Sequence, residues 1–212
     1  MELRKGATVV SVDGEEIGSI ERVVMDPATR EVSHLVVQKG FLISRDRLVP
    51  VDTVQQSTEE QVILKKTHEE VEDMPEFEET HYVPLKIESR EGKEKKIVTP
   101  LYWYPPIGTP IDYYGYPIRP FYKETERHIP EGSIPLKEGA RVESADGTRV
   151  GNVESVFTDP STGKATHFLI AKGIFLKDQK LVPTQWILEV EEDTVKLAVD
   201  APFIETLSEY SG

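Results

Sequence analysis

The sequence predicts an all-β protein made of two small antiparallel barrels, which arose by internal duplication and are joined by an ordered connector rich in proline and aromatic residues. Three observations lead to this prediction: an ungapped repeat, short β-type runs separated by turn residues, and an intervening segment of different composition. With 212 residues, the chain has room for one large domain or two small ones.

The repeat is the strongest of these signals. Residues 3–64 align with residues 136–197 at a constant offset of 133, without a gap. The identical positions are mostly those that set backbone geometry. They include Gly6/Gly139, Asp13-Gly14/Asp146-Gly147, Gly18/Gly151, Asp26-Pro27/Asp159-Pro160, His34/His167 and Leu48-Val49-Pro50/Leu181-Val182-Pro183. One register that holds across turns and apolar positions alike indicates a duplicated domain.

The first copy reads as a series of short strands. An Asp-Gly pair at residues 13–14 separates β-type runs at 7–12 and 16–24, which is typical of a hairpin because glycine accepts a positive φ. Asp26-Pro27 predicts a turn, in which proline presets φ and aspartate caps a backbone N–H. Residues 32–37 form the next β-rich run.

The copy ends with residues 48–50, a short strand whose proline belongs at an edge or a strand end. A helical turn at residues 51–56 and a last strand at residues 61–65 follow. Five or six such strands, with turn signals between them, are typical of a small barrel or a strongly bent sheet.

The segment between the copies differs in composition. It holds most of the prolines, which argue against a regular helix or a central strand. Residues 102–122 contain eight of the seventeen aromatic residues. Disordered spacers are poor in aromatic residues, so this density predicts an ordered segment. The eight aromatic residues are Tyr102, Trp103, Tyr104, Tyr113, Tyr114, Tyr116, Phe121 and Tyr122.

These observations predict the domain boundaries. The first barrel is expected at residues 1–72, an acidic and then Pro/aromatic-rich connector at 73–133, the second barrel at 134–206 and a C-terminal tail at 207–212. The acidic run at residues 69–79 is interpreted as a solvated segment whose charges repel one another.

Composition excludes several classes of function. Lys and Arg total 25 against 38 Asp and Glu, a net charge of −13, which argues against nucleic-acid binding. The absence of cysteine excludes disulfides, thiolate metal sites and cysteine nucleophiles. The sequence has no apolar run long enough to span a membrane and no apolar leader, so we expect a cytoplasmic protein without membrane insertion. It matches no phosphate-loop, dinucleotide or hydrolase motif, so we expect a non-enzymatic protein without a cofactor.

The repeat unit resembles a PRC-barrel domain, the module named after the cytoplasmic part of the photosynthetic reaction centre H subunit. The residues that carry the resemblance are Gly6, Val9, Asp13-Gly14, Gly18, Val23, Asp26, His34-Leu35-Val36-Val37, Leu48-Val49-Pro50-Val51 and Val62 with Leu64, and they recur in the second copy. The resemblance covers roughly two thirds of the chain and leaves residues 67–133 unexplained. It implies a small bent barrel per copy with a structural or adaptor role, as in the H subunit and in the C-terminal barrel of the ribosome-maturation factor RimM.

His34 and His167 are weak candidates for metal ligands, because imidazole at matched positions suits metal binding or proton relay. The alternative is a strand-end histidine whose ring is satisfied by a neighbouring backbone carbonyl. If the copies pack as an intramolecular pseudo-dimer, the two rings could converge. Asp26 and Asp159 are better explained as turn caps than as calcium ligands, since the turn lacks further carboxylates.

The aromatic connector is the main candidate for partner binding. It serves either as a strap that fixes the barrels or as a recognition surface for a protein partner. The leading hypothesis is therefore a non-enzymatic interaction or scaffold module, in which peripheral contact with a membrane complex remains open. The alternative is a small-molecule or metal-binding protein with a site between the two barrels.

Overall fold

The computed structural model describes residues 1–39, 46–84, 121–137, 139–172 and 178–210. These residues are mostly β structure, with two seven-stranded sheets, so the all-β prediction is confirmed. The elements of the first repeat are β1 (Glu2–Arg4), β2 (Thr8–Val10), β3 (Glu16–Met25), β4 (Val32–Gln38), β5 (Arg47–Pro50), a 3₁₀ turn (Val51–Thr53), β6 (Val54–Ser57), β7 (Gln61–Leu64) and α1 (His68–Glu72).

The rest of the chain contributes nine strands and a second short α-helix within the described ranges. Strands β8 (Glu78–Pro84) and β9 (Phe121–Arg127) belong to the connector. The second repeat has β10 (Ile134–Lys137), β11 (Arg141–Glu143), β12 (Arg149–Thr158), β13 (Ala165–Lys172), β14 (Asp178–Pro183), a 3₁₀ turn (Thr184–Trp186), β15 (Ile187–Val190), β16 (Thr194–Leu197) and α2 (Ala201–Glu205).

The two sheets have the same strand order. The first runs β5-β4-β3-β2-β7-β6 and the second runs β14-β13-β12-β11-β16-β15. The prediction of wholly antiparallel sheets is wrong at one pair in each, because β2 pairs with β7 and β11 with β16 in parallel. A parallel pair needs a long crossover connection, and here the four intervening strands provide it.

Each sheet takes its seventh strand from the other repeat. One edge of β3 pairs along its length with β4, while the opposite edge pairs first with β2 and then with β10. Leu136 of β10 lies opposite Val23, and in the second sheet Leu3 of β1 lies opposite Val156. These two pairs are related by the offset of the sequence repeat, so the strand exchange is reciprocal.

The crossing point of the first repeat lies between Lys5 and Gly6. The Lys5 amide donates to the Glu154 carbonyl of the second repeat at 3.1 Å, whereas the Gly6 amide donates to the Ile20 carbonyl of the first repeat at 3.1 Å. Gly6 has φ +66° and its counterpart Gly139 has φ +75°. Because an L side chain rarely adopts this conformation, the crossing explains why both repeats have glycine there.

The repeats also pair through the turns after β3 and β12. The Val32 amide donates to the Gly163 carbonyl at 3.0 Å, and the Ala165 amide donates to the Arg30 carbonyl at 2.8 Å. Behind these backbone contacts, one continuous hydrophobic cluster holds side chains of both repeats. The described residues within 1–77 and 128–210 therefore fold around a shared core.

The described ends of the connector form a separate two-stranded unit at residues 78–127. Strand β8 pairs antiparallel with β9, and Arg127 Nε donates to Glu78 Oε1 at 2.9 Å. Phe121 and Tyr122 lie in β9. The other six predicted aromatic contacts, Tyr102, Trp103, Tyr104, Tyr113, Tyr114 and Tyr116, lie outside the described residues.

The acidic run after β7 begins with a helix, and Glu69, Glu70, Glu72 and Asp73 are exposed to solvent, in agreement with the interpretation of a solvated segment. Thr67 and Glu70 form a reciprocal capping box at the start of α1. The His68 amide also donates to Asp13 Oδ1 at 3.3 Å, which ties the helix to the first hairpin turn. Helix α2 has the same place in the second repeat.

Candidate functional site

His34 and His167 occupy equivalent places in their sheets. In the first sheet His34 lies between Val24 and Pro50, and in the second sheet His167 lies between Phe157 and Pro183. Among the described residues, no three His, Asp or Glu side chains cluster in a way that could hold a metal ion. The described geometry therefore does not support metal binding at these histidines.

His34 lines an open cleft of about 620 Å³, which we call the His34 cleft. Its walls combine the start of β4, the 3₁₀ turn after β5 and the turn after β12. The lining residues are Met1, Glu31, Val32, Ser33, His34, Pro50, Val51, Asp52, Val54, Lys65, Pro160 and Gly163. A cleft of this size suits a small organic ligand.

The imidazole of His34 is half-buried in this cleft, and its Nδ1 is buried without a hydrogen-bond partner among the described residues. This differs from the expected backbone-carbonyl partner. Burial lowers the pKa of His34 from its ordinary value of 6.5, and the opposing attraction of the Asp52 carboxylate is the smaller effect. Burial thus favours the neutral form of the ring, whose Nδ1 has no partner among the described residues.

The charged residues around His34 are specific to the first repeat. Lys65 Nζ donates to the main-chain carbonyl of Asp52 at 2.8 Å, which holds the ammonium at the wall of the cleft. The counterparts of Asp52 and Lys65 in the second repeat are Gln185 and Ala198. The second repeat therefore has the matching histidine but lacks the charged residues that surround His34.

The lowered pKa of His34 predicts a pH dependence of stability. The unfolded chain takes up this proton at a higher pH than the folded chain, so the stabilisation is complete above pH 6.5 and is lost as the pH falls through the lowered pKa. We expect the free energy of unfolding, measured by urea denaturation, to decrease between about pH 8 and about pH 5. His34→Gln should flatten this slope, and equal slopes in both proteins would contradict the assignment.

Asp26 and Asp159 cap their turns, as predicted. Asp26 Oδ1 accepts from the Ala28 amide at 2.7 Å and the Thr29 amide at 3.0 Å, and Asp159 Oδ1 accepts from the Ser161 amide at 2.8 Å. The amides of Thr29 and Ala28 lower the pKa of Asp26, and the pKa of Asp159 is lowered first by the Ser161 hydroxyl, which donates to Asp159 Oδ1 at 2.6 Å, and then by the Ser161 amide. The turns have a structural role that needs no calcium ion.

A second candidate site is an apolar surface on the second repeat, made of Trp186, Leu188 and Phe203. Leu188 is 73% exposed and Phe203 is 48% exposed. The Phe203 ring contacts the half-buried Trp186 edge-on, with centroids 5.2 Å apart. We call these three residues the apolar surface; among the described large hydrophobics, only Val12 is similarly exposed elsewhere.

A β-bulge projects Leu188 into solvent. The pairing of β15 with β16 shifts between Ile187 and Glu189, so Leu188 has no partner in the ladder. A bulge redirects a side chain and is common next to functional sites. The first repeat has the same shift between Val54 and Gln56, with the polar Gln55 at the bulged position.

The sequence interpretation missed this surface, although the repeat alignment contains the signal. Trp186 and Leu188 correspond to Thr53 and Gln55 within the aligned residues, and Phe203 corresponds to Glu70 when the same offset is extended by a few residues into the helices. Elsewhere the two copies mostly keep the polarity of each position. Three polar-to-apolar differences around one short strand and helix mark where the second repeat departs from the first.

The comparisons with known proteins agree with the two-sheet architecture. A family model for the PRC-barrel domain matches residues 5–72 and 138–203, which together exceed half of the chain. The two matched segments begin 133 residues apart, at the offset of the repeat. A search of curated proteins found no match. In the described part of the chain, no helix is long and apolar enough to span a membrane.

Proposed function

The chain belongs to the PRC-barrel family, as a tandem protein with two copies of the domain, and from this membership we propose that it is a non-enzymatic protein-interaction module. PRC-barrel domains are generally protein-interaction modules. The observation that carries the proposal for this chain is the apolar surface of the second repeat, where a bulge exposes Leu188 and the exposed Phe203 packs against Trp186.

The apolar surface has the composition of a binding site. Tryptophan and other aromatic residues are enriched in the central contacts that dominate binding free energies. Exposure of Leu188 and Phe203 to water is unfavourable in the free protein, and a partner that covers them recovers this hydrophobic free energy. The matched polar residues of the first repeat, Gln55 and Glu70, indicate that the fold itself does not require apolar side chains here.

Charge favours a basic partner. Asp200 lies at the start of α2, whereas Glu189 and Glu205 already pair with Lys196 at 2.7 Å and Lys172 at 3.7 Å, so the attraction comes mainly from the net charge. Residues 134–212 carry 8 Lys and Arg against 13 Asp and Glu, and the whole chain has a net charge of −13. A short peptide segment with apolar residues flanked by Lys or Arg fits this surface, since opposite charges speed encounter and disfavour wrong partners.

The two repeats are proposed to act as an intramolecular pseudo-dimer. Each sheet holds a strand from the other repeat, so a partner bound to one repeat meets a surface supported by both. The aromatic residues at 102–122 are proposed as a further contact region, because tyrosine and tryptophan provide large contact areas at low entropic cost.

The proposal is tested by replacing residues of the apolar surface with the residues at the matching positions of the first repeat. The probe is a displayed library of random peptides, from which binders to the full-length protein are selected. We expect the selected peptides to combine apolar residues with Lys or Arg. Leu188→Gln with Phe203→Glu should weaken their binding by about thirtyfold or more, the effect of losing a central contact.

The control for this experiment is Val12→Ala, which alters an exposed valine, 52% exposed, whose second-repeat counterpart is Ala145. Binding should be unchanged by this substitution. Thermal unfolding checks that both variants fold, because Phe203→Glu also removes the ring contact with Trp186. A library without binders, or binders that tolerate the double substitution, would refute the proposal.

A further inference from the structure

Lys180 is a buried cation that lies against the end of α2. It belongs to β14, and only 8% of the residue is exposed to solvent. Lysine is rarely buried unless its ammonium group has partners. Lys180 Nζ donates to the main-chain carbonyls of Leu207 at 2.8 Å and Glu205 at 3.2 Å. A cation at the C-terminal end of a helix stabilises the carbonyls that have no partner within the helix, so Lys180 holds this end of α2 to the sheet.

Helix α2 depends on contacts of this kind. It has five residues, and a helix this short is unstable by itself in water. Asp200 at its start forms no side-chain capping hydrogen bond among the described residues, whereas α1 has a complete capping box. The buried side chains of Ala201 and Ile204 attach the helix to the core, and Lys180 holds its last turn. Loss of the Lys180 ammonium group is therefore expected to loosen α2.

Phe203 connects α2 to the apolar surface. It lies on the helix just before the buried Ile204, and its ring contacts that of Trp186 with centroids 5.2 Å apart. Trp186 belongs to the 3₁₀ turn between β14 and β15, and so to the sheet and not to the helix. The position of α2 therefore determines whether the two rings of the apolar surface stay in contact.

The first repeat has the same contact with a different residue. Arg47 is the counterpart of Lys180, and its Nη1 donates at 2.8 Å to the carbonyl of Met74, which is the counterpart of Leu207. Helix α1, however, has a glutamate at the position of Phe203. The contact is thus common to both repeats, but only in the second repeat does it hold part of the apolar surface.

We propose that Lys180 is a positioning residue for the apolar surface: by holding the end of α2, it keeps Phe203 against Trp186 in the arrangement that a partner binds. This inference rests on the proposed protein-interaction function. Lys180 itself is buried and acts through the helix, without contact with the partner. Its effect is to raise the fraction of molecules that are competent to bind, and the apparent dissociation constant increases when that fraction falls.

The test compares full-length Lys180→Met with Arg47→Met, which removes the matching contact from the first repeat. The probe is a peptide selected against the parent protein from the displayed library. Lys180→Met should weaken its binding by about tenfold, which corresponds to the loss of one hydrogen bond to a charged group. Arg47→Met should leave binding unchanged. Lys180→Arg introduces the first-repeat residue, keeps a cation at this position and should retain binding.

The fluorescence of Trp186 provides a readout that needs no peptide. The chain has two tryptophans, so the variants are prepared with Trp103→Phe for this measurement. Acrylamide should quench Trp186 more strongly in Lys180→Met than in Arg47→Met or the parent protein, because Phe203 no longer stays against the indole ring. Thermal midpoints check that the variants fold. Lys180→Gln, which keeps a shorter donor, replaces Lys180→Met if the latter is unfolded.

The two readouts separate this inference from the proposed function. Unchanged quenching in the folded Lys180 variant would overturn the positioning role, even if the library yields no binders and the proposed function fails. Equal weakening of binding by Lys180→Met and Arg47→Met would also overturn it, because the effect would then come from general stability. Stronger quenching with unchanged peptide binding would show that the peptide binds elsewhere, which overturns the apolar surface as the binding site and with it the role of Lys180 in binding.

Discussion

Leu136→Ala is expected to lower the free energy of unfolding by about 2–5 kcal/mol, the usual cost of truncating a buried leucine. Leu136 is 2% exposed, and it lies on the strand that the second repeat contributes to the first sheet. Its side chain lines the seam where Leu3, its counterpart from the exchanged β1, also lies. The substitution therefore removes apolar contacts between the repeats and not only within one of them.

Because the core is shared, we expect the Leu136→Ala variant to unfold in a single cooperative transition at a lower urea concentration than the parent protein. Circular dichroism monitors this transition. Leu188→Ala is the control, since it truncates an exposed leucine and should change the free energy of unfolding by less than about 0.5 kcal/mol. Separate unfolding of two halves, or a Leu136→Ala effect as small as the control's, would show that the exchanged strands do not couple the repeats.

Gly18→Ala is expected to destabilise the protein by about 1–3 kcal/mol or more, the range for overpacking a filled site. A Cβ atom at Gly18 would lie 2.1 Å from the main-chain carbonyl oxygen of Gln38, on the neighbouring strand β4. Backbone atoms held in a ladder cannot move aside cheaply, so the two strands would have to separate locally.

Two matched variants check this explanation. At Gly151 of the second repeat the corresponding Cβ would lie 2.7 Å from the Ala171 carbonyl oxygen, so Gly151→Ala should be destabilising but less so. Ser19→Ala, on the same strand, adds no atoms and should be nearly neutral. Thermal unfolding midpoints should rank in the order Ser19→Ala, Gly151→Ala, Gly18→Ala from highest to lowest. Equal midpoints would refute the close-approach explanation for these glycines.

Turn chemistry was predictable because it is local. The Asp-Gly pair at residues 13–14 does join β2 to β3, and Asp26 does cap the following turn. Pro50 ends the edge strand β5, as a residue without an amide donor should. The capping box of Thr67 and Glu70 is also a local feature, but it was not predicted because it lies within a run of acidic residues.

The candidate sites were less predictable because they depend on contacts distant in the chain. His34 was identified from the repeat, but the burial of its Nδ1 and its neighbours Asp52 and Pro160 follow from packing. Leu188 is an ordinary apolar residue in an apolar-rich strand until the bulge shows that it points into solvent. A one-residue shift of register changes which side chains are exposed, and short runs do not reveal such shifts.

The sequence by itself determined that the chain is a duplicated β-protein of the PRC-barrel family, because repetition, turn residues and alternating apolar positions are properties of neighbouring residues. Only the tertiary structure decided that β1 and β10 exchange sheets and that Gly6 marks the crossing. Because the two repeats are nearly equivalent, β3 and β12 offer β10 similar strand edges and similar apolar neighbours. Local sequence is compatible with both pairings, and the packing of the whole core selects between them.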